Sequence, residues 1–321
     1  MNPASPANPA GSSDRPLDLS VIIVNYRTWD HLERCLASLA YLSDSVRPVT
    51  EIIVVDNGSD DEHLTGFSAG WPGVRFIDAG HNGGFAAGCN LGAASAAGQH
   101  LLFLNPDCVD PDKAVAELWC KVNHLMAIST TRQRSSAGEP RKASGPFPRW
   151  WALAGPGRVL FSALRNRRRI GDLASVDWVS GSCLLIPRTL FDRIGGWDDG
   201  FFMYSEDVDL CIRARAAGMD VVQASSPILI HEHGAASRSS WETRALTRSE
   251  VLISKHRYVA KHFGPAAALV GHLQLAVFRF LPAALGGLLP GARQPRALSA
   301  HLWRFYLRVR SSGRWRSPRA S

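Results

Sequence analysis

Four short apolar runs, each closed by Asn or Asp, limit what this chain can fold into more than any other feature. They are LSVIIVN (Leu19 to Asn25), EIIVVD (Glu51 to Asp56), VRFID (Val74 to Asp78) and LLFLN (Leu101 to Asn105). A continuous apolar run too short for a helix reads as a strand buried on both faces, the condition of a parallel sheet. Helical stretches and Gly/Asn/Asp turns separate the runs. Leu32, Leu36 and Leu39 form a helical stripe with Asp30 and Glu33 at capping-box spacing, and HNGGFAAG opens a small-residue helix ending near Gly98. A further helix is expected after Asp112. The alternation specifies an α/β fold, a mostly parallel sheet flanked by helices.

The pattern breaks over residues 130–176, which are rich in Arg, Ser, Pro and Gly. That stretch carries an aromatic-basic patch at Phe147, Arg149, Trp150, Trp151 and Arg165 to Arg169. A second apolar run, VDWVSGSCLLIP, follows. Ser205 then reads as the cap of a helix with acids in its first turn and Gly218 as its stop. ILIHEHG is the last short strand. Residues 250–290 read as apolar helix, and 291–321 as an Arg-rich tail.

In open parallel sheets, ligands bind beyond the carboxyl ends of the strands. This chain places polar groups at every such end: Asn25-Tyr26, Asp56-Asn57-Gly58, His81-Asn82-Gly83-Gly84, Asn105-Pro106-Asp107 and His231-Glu232-His233. Singly, the Asn-Gly and Asn-Pro-Asp pieces are also good turn chemistry, and the two histidines could be surface residues. GGFAAG lacks the dinucleotide spacing G-x-G-x-x-G and follows the third strand, not the first. Taken together they form one polar mouth. Glu206, Asp207 and Asp209 lie within four residues, more acid than a helix dipole needs. A carboxylate there could act as general base, and spacing does not choose between Glu206 and Asp207.

The charge is split along the chain. Residues 251–321 hold 12 of the 36 Lys and Arg and none of the 28 Asp and Glu, so the net +8 belongs to the C-terminal quarter. A hydrophobic share of 45% with 20% charged residues is globular and excludes wholesale disorder, collagen and a pure coiled coil. Six scattered cysteines without a C-x-x-C pair read as reduced, buried thiols of a cytosolic protein. Residues 1–16 read as a disordered leader without a signal-peptide core. The longest apolar stretch, Gly264 to Phe278, is interrupted by His272 and Gln274, ended by Arg279 and followed by Pro282, short of the roughly 18 residues of a spanning helix.

The ordered series VIIVNY, VVDNGSDD, HNGGFAAGCNLG, LFLNPD, VSGSCLLIPR, GGWDDGFFMYSEDVDLCIRARAAG and IHEHGAASR resembles family-2 glycosyltransferases, in particular the inverting, rhamnosyltransferase-like branch with a single GT-A domain. The resemblance runs from about Leu17 to Arg238. It implies that Asn25, Tyr26 and Asp56 hold the base and ribose of a nucleotide-diphosphate sugar, and that Asn82, Gly83 and Phe85 line its nucleotide and sugar side. Asn105-Pro106-Asp107 stands where the family has its Asp-x-Asp motif, so Asp107 with His231 would hold Mn²⁺ or Mg²⁺. Asp207, beside Glu206, would be the base. Trp178, Trp197 and Asp198 would contact the acceptor.

The resulting expectation is a GT-A domain at 17–245, an apolar helical membrane-association segment at 246–290 and a basic tail at 291–321. The favoured activity moves L-rhamnose from dTDP-rhamnose to a lipid-linked or growing cell-envelope glycan, on the inner face of the plasma membrane. A UDP-dependent galactosyl- or N-acetylglucosaminyltransferase is the alternative donor reading. A non-catalytic nucleotide- or nucleic-acid-binding protein is the alternative of another class. Arg304, Tyr306, Arg308, Arg310, Arg314, Trp315 and Arg316 interleave charge with aromatic rings, which fits an anionic membrane surface better than nucleic acid.

Overall fold

The computed structural model describes residues 16–43, 48–59, 61–163, 172–232, 234, 240–317 and 319. The expected leader, the Arg165 to Arg169 patch and His233 lie outside them. In chain order the first half runs β1 (Leu19–Asn25), α1 (Trp29–Ser43), β2 (Thr50–Asp56), α2 (Asp61–Ala69), β3 (Val74–Asp78), α3 (Phe85–Ser95), β4 (His100–Leu104), β5 (Cys108–Val109), α4 (Asp112–Val122) and β6 (Ala127–Arg134). Then follow β7 (Pro140–Arg141), β8 (Ser144–Gly145), α5 (Gly155–Ala163), β9 (Leu173–Ser175), β10 (Trp178–Val179), β11 (Cys183–Pro187), α6 (Arg188–Arg193), α7 (Glu206–Ala216) and β12 (Asp220–His231). The chain closes with α8 (Trp241–His262), α9 (Pro265–Leu275), a π turn (Ala276–Phe280), α10 (Leu281–Gly287) and α11 (Arg293–Ser312).

The main sheet has ten strands, with the order β3-β2-β1-β4-β11-β6-β12-β5 and with β7 and β9 attached to β6 and β12. β1 pairs in parallel with both β2 and β4, so the strand order reverses there and opens a crevice above their carboxyl ends. All seven residues of β1 are buried, which is why its sequence shows no alternation. α3 lies against the sheet closely enough that a Cβ on Gly92 would sit 2.5 Å from Ile22 and one on Gly88 2.8 Å from Val24. The small residues of that helix therefore set the height of its N-terminus over β1.

Several expectations change. Residues 130–134 are part of β6, a central strand, and do not belong to a break in the pattern. β12 is twelve residues long, and ILIH is only its last third. α1 starts at Trp29, its first bonds closing on the Thr28 carbonyl, so Asp30 sits inside the first turn and is not a cap. Ser205 does occupy the N-cap position of α7, with Asp209 N–H bonded to its carbonyl, but at φ 67° and without a side-chain capping bond. Five of the cysteines are buried, but Cys120 is exposed.

The C-terminal quarter also differs from the expected segment and tail. The 245/246 boundary falls within α8. Most of the 291–321 stretch is helical, with Leu302 and Phe305 of α11 buried. They join Leu252, Ile253 and Val259 of α8 in one core with Leu153, Phe201 and Val208, residues that precede or carry the acidic motif. Pro265–Gly287 runs as 23 helical residues containing an 18-residue window of mean hydropathy 1.5, 17% of which is buried, long and apolar enough to cross a bilayer by length and composition. Pro282 does not stop it: it follows directly on the π turn Ala276–Phe280, and the backbone stays helical on both sides of it.

Candidate active site

A cavity of about 210 Å³ opens above the carboxyl ends of β1, β2 and β4. Tyr26, Asn82, Phe85, Asn105, Asp107, Glu206, Asp207 and His231 all line it. These residues come from five separate stretches of chain, brought together by the strand reversal at β1.

One wall is the turn after β4. Asp107 is buried there; its Oδ1 lies 3.0 Å from His231 Nε2, and its Oδ2 accepts from the Gly234 N–H at 3.0 Å. His231 ends β12, which is antiparallel to β5, so β-pairing itself holds the two together. On the far side of the ring, His231 Nδ1 lies 3.0 Å from Gln133 Oε1, which also accepts from Ser182 Oγ at 3.1 Å. An amide oxygen only accepts, so Nδ1 carries the proton and Nε2 is the nitrogen presented beside Asp107. One carboxylate and one imidazole nitrogen on a cavity wall suit a divalent cation. Among the described residues no three His, Cys, Asp or Glu cluster as a metal site. A cation held here takes its remaining ligands from outside the protein, as oxygens of an anionic substrate would supply.

The opposite wall is the start of α7. Tyr204 and Ser205 both adopt left-handed backbone, at φ 69° and 67°, immediately before the helix. The three acids that follow have three different fates. Glu206 is buried with its Oε2 unpartnered among the described residues, and burial followed by the Asp207 charge pushes its carboxyl well up. Asp207 lines the cavity; its Oδ1 accepts from Val208 N–H at 2.8 Å and its Oδ2 from Gly181 N–H at 3.4 Å. Burial raises its carboxyl to about 6, against the opposing pull of those amides and of Lys142. Asp209 is fully buried and bound by Arg213 at 2.9 Å, Lys261 at 2.6 Å and His262 at 2.8 Å. Burial pushes that carboxyl up, but the His262 bond and the Arg213 and Lys261 charges outweigh it and hold it at about 2. Asp209 therefore ties α7 to α8, and Asp207 is the ionised carboxylate left facing the cavity at neutral pH.

Other expected contacts lie elsewhere. Asn25 and Asp56 are buried behind the cavity: Asn25 Nδ2 donates to Asp56 Oδ1 at 3.1 Å, Thr28 Oγ1 donates to Asn25 Oδ1 at 2.8 Å, and Asp56 Oδ2 accepts from Ser59 N–H at 2.8 Å. They brace the β1 and β2 loops. Gly83 donates its N–H to Asn57 Oδ1 at 3.2 Å and is not part of the lining. Trp197 is 2% exposed and packs edge-on against Phe103 and Phe85, as a core residue beneath the site. Asp198 is bound by Arg257 at 2.7 Å and by Lys261 at 2.5 Å. Trp178 donates to the Pro146 carbonyl at 2.9 Å, with Lys142 5.0 Å over its ring. None of these three lines the cavity.

Residues not singled out from sequence include Asn57, the Ser180-Gly181-Ser182 turn, Met203, Tyr204 and, behind His231, Gln133. Asn57 was visible as part of the polar mouth but without a role of its own. Its Nδ2 donates to Asn82 Oδ1 at 3.1 Å and to the Gly84 carbonyl at 3.2 Å, which fixes the glycine turn. Gly84 has φ 95°, and a Cβ on it would collide with the Phe202 backbone, whose carbonyl accepts from Phe85 N–H at 2.8 Å. That contact fastens the glycine turn to the loop before α7.

Comparison with known proteins agrees with this architecture. A family model described as glycosyl transferase family 2 matches residues 20–194, and one described as glycosyl transferase family group 2 matches residues 157–248. The N-acetylglucosaminyl-diphospho-decaprenol L-rhamnosyltransferase of Mycobacterium tuberculosis is 32% identical over 243 residues, covering 67% of this chain and 76% of that protein. Among solved structures, GalNAc-T7 with UDP, GalNAc and Mn²⁺ superposes with a TM-score of 0.52 at 17% identity, covering 82% of this chain and 55% of that one. The mannosyltransferase PcManGT from Pyrobaculum calidifontis, in complex with GDP-Man and Mn²⁺, superposes at 0.50 and 17%, covering 94% and 84%. These likenesses show the GT-A fold. With a strand reversal at β1, a polar cavity above it and a family match over more than half its length, the chain belongs to glycosyl transferase family 2, in its rhamnosyltransferase-like branch, and is a hexosyltransferase.

Proposed function

We propose that the protein transfers L-rhamnose, with inversion, from dTDP-rhamnose to a lipid-diphosphate-linked or growing cell-envelope glycan at the cytoplasmic face of the membrane. The observation that carries this reading is that Asp207 and the Asp107–His231 pair line the same cavity while Asp198 and Asp209 are held in ion pairs. The relative whose name specifies a diphospho-decaprenol acceptor and an L-rhamnosyl group supports the choice of sugar and acceptor.

Asp107 Oδ1 and His231 Nε2 would hold Mn²⁺ or Mg²⁺, which supplies positive charge to a departing diphosphate. Tyr26, Asn57 and Asn82 frame the nucleotide side of the cavity. Asp207 accepts the proton from an acceptor hydroxyl as that oxygen bonds to the anomeric carbon. The bond from that carbon to the diphosphate oxygen breaks on the opposite face, and its electron pair leaves with the nucleotide. One displacement with one base gives inversion and needs no covalent intermediate. Burial and the Asp207 charge push the Glu206 carboxyl up, which disfavours a second negative charge beside the base.

Calorimetric titration with dTDP and UDP, with and without Mn²⁺, tests the donor. Metal-dependent binding that favours dTDP is expected. A preference for UDP would move the donor to a UDP-sugar, and no binding of either nucleotide would overturn the reading.

A further inference from the structure

Exposed apolar residues stand both on α5 and on the helix Pro265–Gly287. On α5, Val159 and Leu160 are 71% and 54% exposed; on the helix Leu273, Val277, Phe278 and Leu281 are 45–54% exposed. The two elements touch closely: a Cβ on Gly155 would sit 2.8 Å from the Phe278 ring. Between them lies a groove of about 430 Å³ lined by Gly155, Arg158, Val159, Phe278 and Arg279. Its walls are thus two guanidinium groups and two apolar side chains, without a carboxylate.

The positive charge extends inward. Lys255 of α8 is half-buried, and its ammonium is pulled down to about 8, first by burial and then by the charges of Arg158, Arg279 and Lys142. Among the described residues the charges named as acting on Lys255, those of Arg158, Arg279 and Lys142, are all positive, and the chain beyond Glu250 contains no acid to balance them. Lys142 also acts on Asp207. Lys142 is thus a cation whose charge is felt both at the cavity carboxylate and at the ammonium behind the groove, and the groove itself carries Arg158 and Arg279 in its lining. Like charges gathered around a half-buried ammonium cost free energy unless an anion joins them. Guanidinium pairs are well matched to phosphate oxygens, and an apolar ridge edged by Arg suits the boundary between lipid headgroups and acyl chains.

We propose that the groove between α5 and the π turn binds the diphosphate of a lipid-linked acceptor, with its hydrocarbon chain along the apolar ridge and its sugar directed towards Asp207. Arg158 and Arg279 grip the diphosphate, and Lys255 stands behind them. The proposal rests on the transferase reading for the role of the ligand. The groove itself is testable without turnover.

The probe is farnesyl diphosphate, titrated into the full-length protein in EDTA so that the Asp107–His231 site does not contribute. Inorganic diphosphate and phosphatidylglycerol vesicles serve as the comparison ligands. Wild type should bind farnesyl diphosphate at least about tenfold more tightly than inorganic diphosphate, about 1.4 kcal/mol. Arg158→Gln with Arg279→Gln should weaken it by about tenfold or more while leaving Mn²⁺-dependent dTDP binding unchanged, which also reports that the variant is folded. Val159→Ser with Leu160→Ser should abolish the preference for the farnesyl over the inorganic compound. The proposal is overturned if wild type does not bind farnesyl diphosphate, or if the double Arg variant binds it as wild type does. It is equally overturned if that variant loses only its binding to phosphatidylglycerol vesicles, since the cations then read bilayer charge. Failure of dTDP to bind wild type would strike the transferase reading and leave the groove result standing by itself.

Discussion

Asp107 and His231, 124 positions apart in the chain, meet at 3.0 Å because β5 and β12 pair side by side at the end of the sheet. Gln133 completes the arrangement from β6, which pairs in parallel with β12, by accepting a hydrogen bond from His231 Nδ1. If this orients His231 Nε2 towards a cation, Gln133→Leu should weaken Mn²⁺-dependent dTDP binding by roughly 10- to 100-fold, the usual effect of losing a group that orients a ligand. Metal-independent binding should change little. Asp107→Ala should remove the metal dependence altogether. Calorimetry with and without Mn²⁺ measures both, and a Gln133→Leu variant with unaltered metal dependence would refute the orienting role.

The rate should depend on pH through Asp207. A base works only when deprotonated, and burial holds this carboxyl at about 6, so kcat/KM should fall as pH drops through about 6 and level off above it. The Lys142 charge opposes that upward shift. Lys142→Ala should therefore move the acid limb to higher pH. A pH–rate profile of the two proteins checks this; movement of the limb to lower pH would contradict the assignment.

Asp209 has a structural role with a different pH signature. Its carboxyl is held near 2 in the folded state, below the roughly 3.9 of an unfolded chain. A depressed carboxylate stabilises the fold above its unfolded pKa and loses that contribution as pH falls through the folded value. Acid sensitivity between about pH 4 and 2 is thus expected. Asp209→Asn should remove this dependence and cost about 3 kcal/mol at neutral pH, because Arg213 and Lys261 lose their buried partner. Urea denaturation of both proteins at several pH values measures it.

The first four strands were legible because strands buried on both faces must be apolar along their length, and their polar ends mark the crevice. β6 was hidden for a physical reason. Ser129, Thr130 and Thr131 are buried in its middle, and Thr130 satisfies its hydroxyl by donating to the Cys183 carbonyl at 2.6 Å on β11. Such a strand looks like a loop in sequence, and Gln133 was hidden with it. The acids of α7 could be located but not sorted, since the difference between Asp207 and Asp209 comes from Lys261 and His262, more than fifty positions downstream. Resemblance placed Trp197 and Asp198 against the acceptor, yet one is core and the other is bound by α8. Of the loop that follows them, it is Met203 and Tyr204 that reach the cavity lining. The C-terminal arginines concealed the apolar side of α11, where Leu302 and Phe305 lie three residues apart.

The central claim is that Asp207 alone takes the acceptor proton, and a single-turnover comparison of wild type with Asp207→Asn tests it most directly. With dTDP-rhamnose, Mn²⁺ and a lipid-diphosphate-linked acceptor, the variant should bind donor nearly as wild type does and transfer at least about 100-fold more slowly. Transfer by the folded variant at a comparable rate would show that another group performs this step.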